Sequence, residues 1–124
     1  MIAHKRPKAL VLDDEPPFEK LFTVMMLMVG WDCEVVTCQK KALARLKAEH
    51  FDVLITDYHM PHGNGLHFIC CLRREGITLP AIVMSGDAKA LRQTPRELLC
   101  IPAVLLKPFT VAELGAALAK ISCA

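Results

Sequence analysis

Residues 51–65 read FDVLITDYHMPHGNG, and the reading of this stretch decides the fold. Val53, Leu54 and Ile55 form an apolar, β-branched-rich run. Thr56 and Asp57 follow, and then a loop rich in His, Pro, Gly and Asn. A continuous apolar run suits a strand buried on both faces, as in a parallel sheet. The strand ends in a carboxylate where the chain leaves the sheet, and ligands of open α/β sheets bind outside the carboxyl ends of strands. Asp57 therefore stands where chemistry is expected, provided the rest of the chain supplies parallel strands and partner groups. From this segment alone, capping of a turn is the competing account of the same aspartate.

Upstream, Lys8–Asp14 (KALVLDD) is a short apolar run ending in acids and predicts a first strand. Glu15-Pro16-Pro17 then opens a helix, because proline suits the first helical turn. Phe18, Leu21, Phe22, Met25 and Val29 recur at helical spacing, and Gly30 is a natural stop. Residues 32–37 (DCEVVT) predict a second strand. Residues 39–49 predict an amphipathic helix with Ala42, Leu43 and Leu46 facing inward.

Downstream, Leu66–Glu75 predicts a helix ended by Gly76, and Leu79–Met84 a strand followed by Ser85-Gly86-Asp87. Pro95 interrupts the next stretch. Thr94-Pro95-Arg96-Glu97 resembles a capping box with proline at the first helical position, so a loose turn and then a short helix over Pro95–Cys100 are expected. Ala103–Leu106 predicts a strand ending at Lys107-Pro108. Thr110-Val111-Ala112-Glu113 is a second capping box, starting a helix that runs to about Ile121. Five strands thus alternate with five helices. Each crossover contains a helix, so the strands are expected to be parallel, with helices on both faces of the sheet.

At 124 residues, 53% of them hydrophobic, the chain has the size and apolar content of a single domain over residues 1–124. Its net charge of +2 calls for no special partner, neither nucleic acid nor membrane. The basic residues His4, Lys5, Arg6 and Lys8 read as a solvated tail over about residues 1–7. No signal peptide is visible, and the apolar stretch within Leu21–Gly30 is too short to span a bilayer. A cytoplasmic setting follows, in which Cys33, Cys38, Cys70, Cys71, Cys100 and Cys123 are expected as free thiols. None of the spacings is CxxC, which argues against zinc.

Parallel strands bring their carboxyl ends to one edge. There the order of the chain gathers Asp13 and Asp14, Asp57, Ser85 and Lys107. Three converging carboxylates repel one another unless something compensates. Mg²⁺ fits, since it takes oxygen ligands and is held by one or two carboxylates plus a phosphate. Lys107 adds a second positive charge and Ser85 a short hydroxyl donor. Such a site suits phosphoryl transfer to a carboxylate, with Asp57 as nucleophile and with Mg²⁺, Lys107 and Ser85 stabilising the phosphoryl oxygens.

With these blocks in place, the whole chain resembles the receiver domains of two-component response regulators. The resemblance rests on Asp13-Asp14-Glu15-Pro16, on Asp57 followed by Met60-Pro61 and Gly65, on Ser85-Gly86, and on Lys107-Pro108-Phe109. It implies a doubly wound, flavodoxin-like (βα)5 fold with strand order 2-1-3-4-5. It implies that Asp57 accepts a phosphoryl group from a phosphohistidine on a sensor histidine kinase or histidine phosphotransfer protein. It further implies that Asp13 or Asp14, Asp57 and the backbone carbonyl of His59 hold Mg²⁺, and that the Lys107–Pro108 bond is cis. The module so described is a signalling phosphoacceptor, not an enzyme acting on outside substrates.

Two departures from the family pattern and one further feature stand out. The position three before the lysine is commonly Tyr or Phe in the family and is Val104 here. His59 and Asp87 occupy the two positions that tune hydrolysis of the acyl phosphate, where they either face each other across the site or lie as solvated loop residues. Val24–Val29 is apolar all round a helix, so part of it must be exposed or covered. In the family the first helix docks the kinase, and a patch around Met26 for a partner or a second copy is the expectation.

Cys70 and Cys71 cannot be equally buried, and His62 and His67 read as surface residues. A pseudo-receiver that only binds a partner is the alternative function. An FMN-binding flavodoxin-like protein is disfavoured, because Asp13-Asp14-Glu15 would repel the cofactor's phosphate. The chain ends with its fifth helix, leaving no room for an output domain, so it is expected to be either a stand-alone regulator or a receiver from a longer protein.

Overall fold

The computed structural model describes residues 6–60 and 63–121; His4, Lys5, Pro61, His62 and Cys123 lie outside them. Its elements are β1 (Lys8–Leu12), α1 (Pro16–Met28), β2 (Asp32–Val36), α2 (Gln39–Ala48), β3 (Val53–Asp57), β4 (His59–Met60), β5 (Gly63–Asn64), α3 (Gly65–Arg74), β6 (Ala81–Ser85), α4 (Ala88–Arg92), β7 (Ala103–Leu106) and α5 (Val111–Ala119). Five of the strands form one sheet in the order β2-β1-β3-β6-β7, with every neighbouring pair parallel. This is the doubly wound order read from the sequence once β4 and β5 are set apart. Those two pair only with each other, antiparallel, in a small ladder that the sequence did not suggest.

Alternate strand residues feed two apolar clusters. Ala9, Val11, Val53, Ile55, Ile82 and Met84 meet α1 and α5 on one side. Leu10, Leu12, Leu54 and Val83 meet α2, α3 and α4 on the other. β3 and β6 are buried along their whole length, which is why they read as unbroken apolar runs. Side chains such as Phe22 and Ile69, fully buried, each contribute about 1.5–3 kcal/mol relative to exposure.

Local chemistry fixes the helix ends. Thr110 and Glu113 form a reciprocal capping box on α5, as their spacing predicts. The Asn64 side chain caps α3 by accepting from the His67 amide at 2.7 Å. Within α3, Cys70 and Cys71 are both half-buried: Cys70 packs on the second cluster. The Cys71 thiol lies 3.8 Å from the exposed His67 ring.

Three expectations are corrected. Met26 is fully buried and Leu21 is 57% exposed, the reverse of the sequence reading. Side chains advance about 100° per helical residue, so Met26, four after Phe22, shares its inward stripe, whereas Leu21 turns away. Among the described residues of α1, the exposed large apolar side chains are Leu21, Val24, Leu27 and Met28.

The short helix after β6 spans Ala88–Arg92, and Pro95–Cys100 forms only turns. Asp87 starts that helix by accepting from the Lys89 and Ala90 amides. Thr94 caps nothing; its hydroxyl donates back to the Ala90 carbonyl at 3.1 Å, finishing α4 where Pro95 blocks extension.

Arg6 and Pro7, placed in the tail by composition, are tied down. Arg6 pairs with Asp32 at 3.1 Å, and the Pro7 carbonyl accepts from the Asp32 amide.

Candidate functional site

Strand register assembles the site. Leu12 is paired with Thr56, Asp57 with Met84, and Ser85 with Leu106. Asp13 therefore leaves β1 beside the end of β3, Ser85 closes β6, and Lys107 follows β7 directly. The Lys107 amide donates to the Ser85 carbonyl at 2.8 Å, extending the ladder by one rung. Asp13, Asp57 and Ser85 are all buried. The Lys107 ammonium lies 2.6 Å from Asp57 Oδ1 and 3.4 Å from Asp13 Oδ2. Its bond to Pro108 is cis.

The backbone around Asp57 is fixed from several directions. Thr56 Oγ1 donates to the Asp57 carbonyl at 3.1 Å. The Tyr58 amide donates to the Met84 carbonyl and the Gly65 amide to the Tyr58 carbonyl, each at 2.7 Å. A Cβ on Gly65 would stand 2.2 Å from the Asp57 carbonyl oxygen, so only glycine lets α3 start so close to β3.

Burial, followed by the hydrogen bond and charge of Asp13, pushes the Asp57 carboxyl up to about 7, against the opposing pull of Lys107. Burial lowers the Lys107 ammonium, but its bond to Asp57 and the charges of Asp57, Asp13 and Glu15 outweigh this and hold it above its ordinary value. The ammonium also lies 4.7 Å from the centroid of the Phe18 ring. That ring is tilted against Phe22 at 5.5 Å and meets Phe109 edge-on at 6.0 Å.

Asp13, Asp14, Glu15 and Asp57 each offer a carboxylate oxygen, all within 4.8 Å of one another. One lysine cannot neutralise that set, and an all-oxygen donor group suits a hard divalent cation such as Mg²⁺. The residues present fit the metal. Sequence reasoning placed Asp13, Asp14 and Asp57 here and left out Glu15, whose proximity comes from the turn into α1. In that turn the Glu15 amide donates to Asp13 Oδ1 at 2.9 Å.

Ser85 Oγ accepts from the Asp87 amide at 2.9 Å. The Asp87 carboxylate is engaged with the first turn of α4. His59 is exposed in β4, opposite Asn64, with its ring packed against Tyr58 at 4.8 Å. Val104 is partly buried against the second cluster. A concavity of about 430 Å³, lined by Arg96, Glu97, Cys100, Ile101 and Pro102, lies where the chain enters β7 and so at the opposite edge of the sheet. No helix among the described residues is long and apolar enough to cross a membrane.

Comparison with known proteins agrees with this geometry. Residues 9–119 match the model of the response regulator receiver domain. The sensor protein EvgS of Escherichia coli (strain K12) is 30% identical over 103 residues, which are 82% of this chain and 8% of EvgS. The transcriptional regulatory protein BasR of the same organism is 26% identical over 109 residues, 88% of this chain and 49% of BasR. The chain thus spans half or less of these relatives. The chemotaxis response regulator CheY4 of Vibrio cholerae has the same fold, with a TM-score of 0.83 at 22% identity, over 95% of this chain and 100% of that one.

Proposed function

Because the chain belongs to the response regulator receiver domain family, we propose that it is a phosphoacceptor module in which Asp57 takes a phosphoryl group from a phosphohistidine. One observation carries this reading: a buried carboxylate, Asp57, lies 2.6 Å from the Lys107 ammonium and within an all-oxygen acidic cluster. An Asp57 oxygen attacks phosphorus as the P–N bond breaks, and the departing imidazole keeps the electron pair and takes a proton from solvent. The product is an acyl phosphate. Water attacks the same phosphorus later and returns the carboxylate and inorganic phosphate, so the module promotes its own dephosphorylation.

Lys107 and Ser85 donate to phosphoryl oxygens as negative charge develops on them. Asp13, Asp14, Asp57 and the His59 carbonyl would hold Mg²⁺, with Glu15 beside them. When bound, the metal supplies positive charge that offsets the carboxylates and the phosphoryl group. The donor is a sensor histidine kinase or a histidine phosphotransfer protein in the cytoplasm, and a homodimer is a further assembly the reading allows.

Intact mass after incubation with acetyl phosphate and Mg²⁺ tests the proposal. The wild type should gain about 80 Da, the mass of one phosphoryl group, and Asp57→Ala should gain nothing. A wild type without adduct under any phosphoryl donor would leave a partner-binding module that works without phosphorylation.

A further inference from the structure

The Lys107 ammonium lies 2.6 and 3.4 Å from two carboxylates, those of Asp57 and Asp13. The Phe18 ring also faces it, with its centroid 4.7 Å away. Phe18 packs against two other rings. It leans on Phe22, which is fully buried, and meets Phe109 edge-on at an interplanar angle of 88°. Phe22 also meets Phe109 edge-on, at 6.0 Å, so the three rings brace one another. This aromatic cluster begins in the core and ends at the ammonium.

An aromatic face attracts a cation through its quadrupole, more strongly where water is excluded. Lysine needs such a guide more than arginine does, because its charge sits on a flexible stem with rotatable donors. Electrostatic stabilisation of a transition state requires donors that are already in place. A leucine at position 18 would still be apolar against the core but offer the cation no ring face.

We propose that Phe18 is a positioning residue for phosphoryl transfer to Asp57: its ring holds the Lys107 ammonium where phosphoryl oxygens will develop charge. The inference rests on the phosphoacceptor reading above.

The test measures phosphoryl uptake from acetyl phosphate with Mg²⁺ in the wild type, Phe18→Leu, Phe18→Tyr, Lys107→Gln and the double variant Phe18→Leu/Lys107→Gln. Phe18→Leu should lower the maximal rate constant about tenfold and leave the donor concentration at half-maximal rate unchanged. Phe18→Tyr keeps the ring face, should stay within about twofold of wild type, and guards against a leucine variant that fails to fold. In the Lys107→Gln background, Phe18→Leu should cause no further slowing.

A leucine variant at wild-type rate, or one equally slowed without Lys107, would overturn the inference. The lysine ε-methylene proton resonance gives a second readout. It should be shifted upfield by the ring in the wild type and return to its ordinary position in Phe18→Leu; an unshifted wild-type resonance overturns the inference by itself. A wild type that takes up no phosphoryl group would fail the phosphoacceptor reading, and the resonance would then still decide whether Phe18 holds the ammonium.

Discussion

The edge around Asp57 and the segment from Asp87 to Pro102 adjoin the same strand, β6, and are built differently. At the edge, the backbone on both sides of Asp57 is bonded across the sheet or back to α3, and Gly65 leaves no slack. The segment has a five-residue helix, a run of turns, Leu98 at 82% exposure and Cys100 in the left-handed region at φ 55°. Like and unlike charges brought together away from water must be held in place, because small shifts change their energies steeply. A segment without a buried charge cluster is under no such constraint, and short local bonds suffice. Such segments supply the low-stability end of a fold, where opening costs little.

Gly65→Ala attacks the rigid side of this contrast directly. The added methyl would meet the Asp57 carbonyl at 2.2 Å, and a loss of about 3 kcal/mol or more in denaturant unfolding is expected. A near-neutral result would mean that α3 can retreat from β3, and that the edge is no stiffer than the segment.

The next effect is electrostatic. With the Asp57 carboxyl at about 7 in the folded chain and 3.8 when unperturbed, the folded state keeps a proton that the unfolded state loses between those values. Stability without divalent cation should therefore fall as pH rises from about 4 to about 7 and level off above. Asp57→Asn should remove that dependence and be more stable than wild type at pH 8 by on the order of 2 kcal/mol. Excess Mg²⁺ should flatten the wild-type curve. Unfolding curves across pH decide the matter, and an identical pH dependence in the variant would show that the strain lies elsewhere.

The smallest effect sharpens the other side of the comparison. Asp87→Ala removes the cap of α4 and should cost about 1 kcal/mol. Amide exchange at Lys89 and Ala90 should quicken while Ile55 and Val83, deep in the sheet, stay protected.

What could be read in advance follows the same division. Strand β3 and the capping box of α5 were legible because each has a single local cause: a buried apolar run, or a side chain reaching its own third amide. The convergence of Asp13, Asp57 and Lys107 was legible because parallel strands leave little choice of edge. The phase of α1 was hidden because residues 24–29 are apolar at every position, so periodicity could not separate Met26 from Leu21. α4 was misplaced because Thr94-Pro95 has the composition of a helix start, while the group that caps the helix, Asp87, had been read as part of the site. Glu15 and Phe18 escaped because their partners are brought to them only by the turn of the chain and by the far end of β7.

Ser85 accepts the Asp87 amide through Oγ, and a hydroxyl has two lone pairs and one proton. That bond engages a lone pair and leaves the proton to be given elsewhere. One oxygen can thus hold the start of α4 and donate to an oxyanion beside Asp57 at the same time. An oxyanion that took that proton would need no break in the bond that ties Ser85 to the residue capping α4.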